Sequence, residues 1–215
     1  GAGAQQRRLL GNEHPDLVVT INNLAMLLQE KGDLDAAEIM LREALAMRRT
    51  LLGEEHPQVA TSLNNLAFLH VNKGDLTAAE PLLREALDIR RSNFDEDHTD
   101  VAISISNLAM VLKRMGNLEA VEPMLREVLE IRLRVLGEGH PDVGFSYTNL
   151  ALVIAEIGDP EEAESLFLQG LAILEEALPP DHQELRNVRK NYAGFLRDQG
   201  RADDAGTIEA RIDDE

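Results

Sequence analysis

Five histidines, His14, His56, His98, His140 and His182, recur at a constant spacing of 42 residues in a chain that carries 39 acidic side chains against 21 basic ones. Imidazole is the commonest protein ligand for transition metals, so such a series first raises metal chemistry. Metal ligands, however, must converge to about 2 Å from one ion. Residues related by a constant step along a repeating chain are held apart by the repeat itself, so the series predicts no metal centre. A side-chain hydrogen bond at the junction of loop and helix, beside Pro15, Pro57 and Pro141, suits these histidines better. The acidic loop Asp95-Glu96-Asp97-His98-Thr99-Asp100 opens like a calcium loop. It then has Asp100 where that loop needs glycine and Ser106 where it needs glutamate. Phosphate-binding glycine loops, zinc-protease motifs and nucleophile elbows are lacking, and cysteine is absent altogether. The residues assemble no catalytic constellation, and no cofactor is expected.

A second series has different chemistry. Asn23, Asn65, Asn107, Asn149 and Asn191 share one phase of the same period. An asparagine amide both donates and accepts hydrogen bonds, yet in a helix it is about 0.6 kcal/mol worse than alanine. Two uses could offset that. The amides could form a ladder that satisfies groups on the next unit, or they could grip the backbone of a bound peptide. The preceding position drifts through Asn22, Asn64, Ser106, Thr148 and Lys190.

The elements that must position these groups follow from the period. A fixed repeat of this size marks an architecture of stacked units, each burying its apolar face against its neighbours. In the unit from His56 to Asp97, Pro57 opens a helix, and Leu63, Leu66, Ala67 and His70 fall on one face of it. Lys73-Gly74-Asp75 ends that helix, with glycine available for a left-handed cap. Ala78, Leu82, Leu83, Ala86, Leu87 and Ile89 then mark a second amphipathic helix. Small residues at Ala25, Ala67, Ala109, Ala151 and Ala193 allow the two helices to approach closely. The predicted fold is all-α, a solenoid of antiparallel helical hairpins. The predicted divisions are repeats at 14–55, 56–97, 98–139 and 140–181, then a divergent capping repeat at 182–215. The cap is expected from the short, polar second helix over Asp203 to Asp214. Because Arg7-Arg8-Leu9-Leu10-Gly11 matches Arg49-Thr50-Leu51-Leu52-Gly53, residues 1–13 are expected to hold a small leader and the tail of a truncated preceding repeat.

Helical geometry also predicts a functional face. In the third unit the core stripe is Ile105, Leu108, Ala109 and Leu112, and the stripe opposite is Ile103, Asn107, Met110 and Arg114. A purely structural helix would carry solubilising charge there. The equivalent stripes read Val19, Asn23, Met26, Glu30, then Thr61, Asn65, Phe68, Asn72, and Phe145, Asn149, Leu152, Glu156. The candidate binding residues are therefore the asparagine series with Phe68, Met110 and Leu152 as apolar pockets. Lys113, Arg114, Lys190 and Arg197 place basic groups beside them in the third and fifth units, which suggests local attraction for a carboxylate or acidic side chain, ordinary solvated helix charge being the alternative. His70 replaces a core leucine and is expected to be a satisfied, half-buried side chain.

The formal charge of −18 argues against nucleic acid and anionic membranes as partners. No apolar run reaches the roughly 20 residues that cross a bilayer, and the lack of cysteine accords with a cytoplasmic location.

The motifs Leu66-Ala67, Gly74-Asp75, Ala78-Ala79-Glu80 and Ala86-Leu87 resemble the tetratricopeptide repeat. The longer period, with Leu52-Gly53-Glu54-Glu55-His56-Pro57 before the first helix and Asn64-Asn65-Leu66-Ala67 within it, is similar to the repeats of kinesin light chains and related scaffold proteins. That resemblance implies a right-handed superhelix whose first helices line a concave groove for short peptides. It also implies a non-catalytic scaffold or cargo adaptor. One departure concerns the residue before the Ala-Leu pair, commonly basic in kinesin light chains but Glu43, Glu85, Glu127 and Gln169 here. A ligand of mixed or basic character is then compatible with the groove. Two alternatives stay open: self-association through the convex face or the N-terminal end, and a regulatory role within a larger enzyme.

Overall fold

The computed structural model describes residues 15–213, so the expectations for residues 1–13, for His14 and for a cap near Glu215 lie outside the described residues. The described residues form ten helices and no strand. They are α1 (Pro15–Glu30), α2 (Leu34–Leu52), α3 (Pro57–Asn72), α4 (Leu76–Asn93), α5 (Thr99–Arg114), α6 (Leu118–Leu136), α7 (Pro141–Ile157), α8 (Pro160–Ala177), α9 (Gln183–Asp198) and α10 (Ala202–Asp213). Successive helices pack as antiparallel hairpins, α1 on α2, α3 on α4, α7 on α8 and α9 on α10. Contacts divide the chain into two compact units. Among the described residues, the first holds 15–96 and 103–115 and the second 97–102 and 116–213.

The histidines of the 42-residue series set the helix starts. His56 Nδ1 accepts from the Gln58 N–H at 3.2 Å, and His140 Nδ1 from the Asp142 N–H at 3.1 Å. His98 and His182 accept in the same way from Asp100 and Glu184, at 3.1 and 3.2 Å. Each thus satisfies one of the orphan donors of a helix N-terminus. The turns inside the hairpins are equally regular. At the end of α3, Gly74 has φ +79°, and the Asp75 N–H reaches back to the His70 carbonyl at 2.9 Å. That closure needs a left-handed residue, which glycine supplies without a Cβ clash. Asp75 then caps α4 by accepting from the Ala78 N–H.

The core of each unit is aliphatic, as the scarcity of aromatics dictates. In the first unit Leu41, Val59, Leu63, Leu66 and Leu69 are fully buried together. In the second, Phe167, Leu150, Leu174 and Leu185 play that part, and the Phe167, Tyr192 and Phe195 rings cluster at centroid distances of 5.3 to 6.2 Å. The small residues Ala25, Ala67, Ala109, Ala151 and Ala193 are all buried.

His70 is buried outright rather than half-buried, because α2 closes over it with Glu38, whose Oε1 lies 4.0 Å from Nε2. Glu38 is held by the Lys73 ammonium at 2.8 Å and by the Arg42 Nε at 2.9 Å. These cations, Lys73 foremost, pull its carboxyl down from 4.5 to about 2. A carboxylate whose pKa is depressed on folding stabilises the fold above its unfolded pKa and loses that contribution as pH falls. Stability is therefore expected to decline as pH drops from about 4.5 towards about 2. Urea midpoints measured across that interval should fall less steeply for Lys73→Met than for the parent.

Candidate functional site: the exposed face of the first helices

The first helix of each hairpin has one buried face and one exposed face; the predicted stripes separate on α5, whereas Phe145 and Leu152 of the predicted open stripe of α7 are half-buried against the core of the second unit. Ile105, Leu108, Ala109 and Leu112 of α5 are buried. On the opposite side, apolar groups stand in solvent: Val19 is 52% exposed, Met26 56%, Phe68 37% and Met110 38%. Asn23 of α1 is exposed, and Asn65 of α3 and Asn107 of α5 are partly exposed among them. Asn72 Nδ2 donates to Gln29 Oε1 at 3.4 Å, so the lower ends of α1 and α3 meet on this face. Lys113 is partly buried and Arg114 exposed at the end of α5.

The drifting position behaves differently. Asn22 and Asn64 are only 7% and 6% exposed, because one residue of helix turns a side chain by about 100° and carries it from the open face to the flank. Asn22 Nδ2 donates to the Val18 carbonyl at 2.9 Å, while the Oδ1 atoms of Asn22 and Asn64 are buried without a hydrogen-bond partner. Thr148 is buried too, its hydroxyl donating to the Phe145 carbonyl at 3.1 Å. Lys190, at the same position of α9, is exposed.

In the second unit the predicted residues come together around a cleft of about 420 Å³ between α7 and α9. Leu152, Ala155 and Glu156 line it from α7, and Lys190, Asn191, Gly194, Phe195 and Asp198 from α9, with Gln199 beyond. Asn149 is exposed one turn before Leu152. Arg197 is not among the lining residues. It forms an ion pair with Glu209 of α10, which raises the Arg197 pKa and lowers that of Glu209. Arg189 also turns to its own hairpins, bonding Glu175 at 3.1 Å and the Arg211 carbonyl at 3.2 Å.

One positioning device escapes sequence reading of single units. Arg48 Nη1 donates to Ser62 Oγ at 2.6 Å, Arg90 Nη1 to Ser104 Oγ at 3.0 Å and Arg132 Nη1 to Ser146 Oγ at 2.8 Å. Each bond joins the second helix of one hairpin to the first helix of the next, and so sets the spacing of the exposed faces. Burial lowers the pKa of Arg48 and Arg132. The signal was there in the sequence, since both residue types recur with the 42-residue step.

Ten described helices in hairpins, with repeated histidine caps and a recurrent apolar and amide face, define a helical-repeat protein. The sequence profile of the tetratricopeptide repeat matches residues 4–50, 16–92, 58–133 and 100–176. The chain belongs to the tetratricopeptide-repeat family. That membership gives it the family's general character, a non-catalytic scaffold for protein or peptide binding. Among the described residues no group of three or more His, Cys, Asp or Glu side chains could hold a metal ion, and no helix is long and apolar enough to cross a membrane. No curated protein matches the sequence. Among solved structures, BtubC (BKLC) from P. vanneervenii is 27% identical with a TM-score of 0.84, over 99% of this chain and 86% of that one. A Podosopora anserina protein described as a kinesin light chain with nearly identical TPR-like repeats is 24% identical, TM-score 0.79, over 93% of this chain and 95% of that one. YrrB, a TPR protein with an unusual peptide-binding site, is 17% identical, TM-score 0.59, over 100% of this chain and 92% of that one.

Proposed function

We propose that the chain is a kinesin-light-chain-like adaptor or scaffold that holds an extended peptide along the exposed face of its first helices, in the concave-groove mode expected of such repeats. The single observation that carries this reading is the composition of that face. Solvent-exposed helix surface normally carries charge, whereas here Val19, Met26, Phe68, Ile103 and Met110 are exposed beside the asparagine series. In this reading the amides of Asn23, Asn65, Asn107, Asn149 and Asn191 bond the peptide backbone, and Phe68, Met110 and Leu152 receive its side chains. Lys113, Arg114 and Lys190 then tune its charge, while Arg197 is held by Glu209. The repeat divisions at 56, 98, 140 and 182 and a cytoplasmic setting belong to the same proposal.

Selection of random peptides on the parent and on the Asn65→Ala, Asn107→Ala, Asn149→Ala variant tests it. A motif enriched on the parent and lost on the variant is the expected result. No enrichment, or equal enrichment on both, overturns the reading.

A further inference from the structure

Cysteine is absent, so the six methionines carry all the sulfur of the chain and are its sites for oxidation by peroxide. They differ in access. Met40, Met47 and Met124 are half-buried, the first two packed against the core of the first unit. Met26, Met110 and Met115 are exposed, at 56%, 38% and 41%. Met26 and Met110 both belong to the first unit, where they hold the same repeat position on either side of Phe68 in the apolar row. Asn23 stands three residues before Met26, and Asn107 three before Met110. Residues three apart on a helix are neighbours, and a long helical side chain leans back over the preceding turn. Each of these two thioethers is therefore within reach of an amide of the asparagine series. Met115 is not so placed, for the residue three before it is Leu112.

We infer that Met26 and Met110 are sites of reversible oxidation by hydrogen peroxide, and that sulfoxide formation there releases the bound peptide. The sulfur lone pair attacks one peroxide oxygen, an S–O bond forms as the O–O bond breaks, and the other oxygen leaves as water. Sulfur gives up two electrons and the peroxide takes them. Two consequences oppose binding. A flexible apolar contact becomes a polar one, which loses favourable burial against the peptide. The new oxygen is also an acceptor, and it takes the Nδ2 donor of Asn23 or Asn107 that the peptide backbone would otherwise receive. Thiol-dependent sulfoxide reduction returns the thioether and the free amide. Release of this kind rests on the reading that peptides bind along the first helices, and it adds a control on that same face.

The test follows a peptide selected on the parent by fluorescence anisotropy, with mass spectrometry of proteolytic fragments to place each sulfoxide. Peroxide should oxidise Met26, Met110 and Met115 ahead of the other three methionines. Saturating peptide should protect Met26 and Met110 but not Met115. The oxidised protein, its thermal melt unchanged, should bind at least about tenfold more weakly, and treatment with a sulfoxide reductase should restore the binding. Met26→Leu with Met110→Leu keeps the row apolar, with the residue that the fourth hairpin has at Leu152. Whatever the affinity of that variant, peroxide should not change it. Should the leucines themselves abolish binding, the protection pattern and the reductase decide. Undiminished binding by protein carrying both sulfoxides overturns the inference, as does an equal loss in the leucine variant or a loss that accompanies unfolding. If that peptide is still lost on the triple asparagine variant, the groove reading stands alone. A selection that enriches no peptide removes both.

Discussion

Replacing Gly170 with valine is expected to lower stability by about 3 kcal/mol, the upper end of what overpacking a tight contact costs. Gly170 of α8 faces Gly144 of α7, and a Cβ at position 170 would sit 2.5 Å from Thr148 Cγ2 and 2.8 Å from the Gly144 carbonyl oxygen. Thr148 could turn, but a helix carbonyl cannot withdraw without shifting α7. A Cβ on Gly144 would in turn meet Leu174 Cγ at 2.7 Å. Earlier hairpins have Ala60 with Ala86 and Ala102 with Val128 at these positions, so the fourth reaches its close approach by removing both side chains. Gly194→Ala is the matched control. It adds a Cβ in open space and should gain up to about 1 kcal/mol of helix propensity. Urea unfolding followed by far-ultraviolet circular dichroism would therefore show two glycines on neighbouring helices shifting the midpoint in opposite directions. An unchanged midpoint for Gly170→Val would contradict the close packing of α7 on α8.

What the sequence makes legible is whatever repeats. The step of 42 residues places His56, His98, His140 and His182 at helix starts, and the hydrogen bonds at each follow from that placement. Helical phase alone separates Leu108 and Ala109 on the core side from Met110 on the open side. What it hides are departures from the repeat and contacts without a local period. Gly144 and Gly170 look like neutral variants of an Ala-rich pattern until the backbones are seen to touch. Gly194 reads as a weak helix residue, yet it lines the cleft between α7 and α9. Arg197 shares a face with Lys190 by helical phase, but Glu209 on the following helix pairs with it. The burial of Asn22 and Asn64 has the same origin, since a flank becomes interior only when neighbouring helices close against it.

The Arg–Ser pairs lead to a prediction about how hairpins hold one another. Arg132→Met is expected to destabilise the chain by about 2 kcal/mol, the scale of a hydrogen bond from a charged donor. Arg132 Nη1 donates to Ser146 Oγ at 2.8 Å and to the Asp142 carbonyl at 3.2 Å, while the Ser146 hydroxyl donates to that same carbonyl. One guanidinium nitrogen thus joins α6 to the first turns of α7. Lysine is not expected to rescue the loss, because an ammonium is more strongly hydrated than a guanidinium and costs more to place at this part-buried site. A double-mutant cycle with Ser146→Ala should give a coupling of about 1 kcal/mol, since the two residues share one bond. The coupling should also persist in high salt, where exposed pairs such as Arg42 with Glu38 are screened. Stability in a repeat array is the sum of what each unit contributes and what each interface adds. Loss of this interface bond should broaden the unfolding transition as well as lower its midpoint, because α7 is then less tightly coupled to α6. A cycle with no coupling would show that the apolar contacts alone set the spacing of the hairpins, and with it the spacing of the asparagines they present.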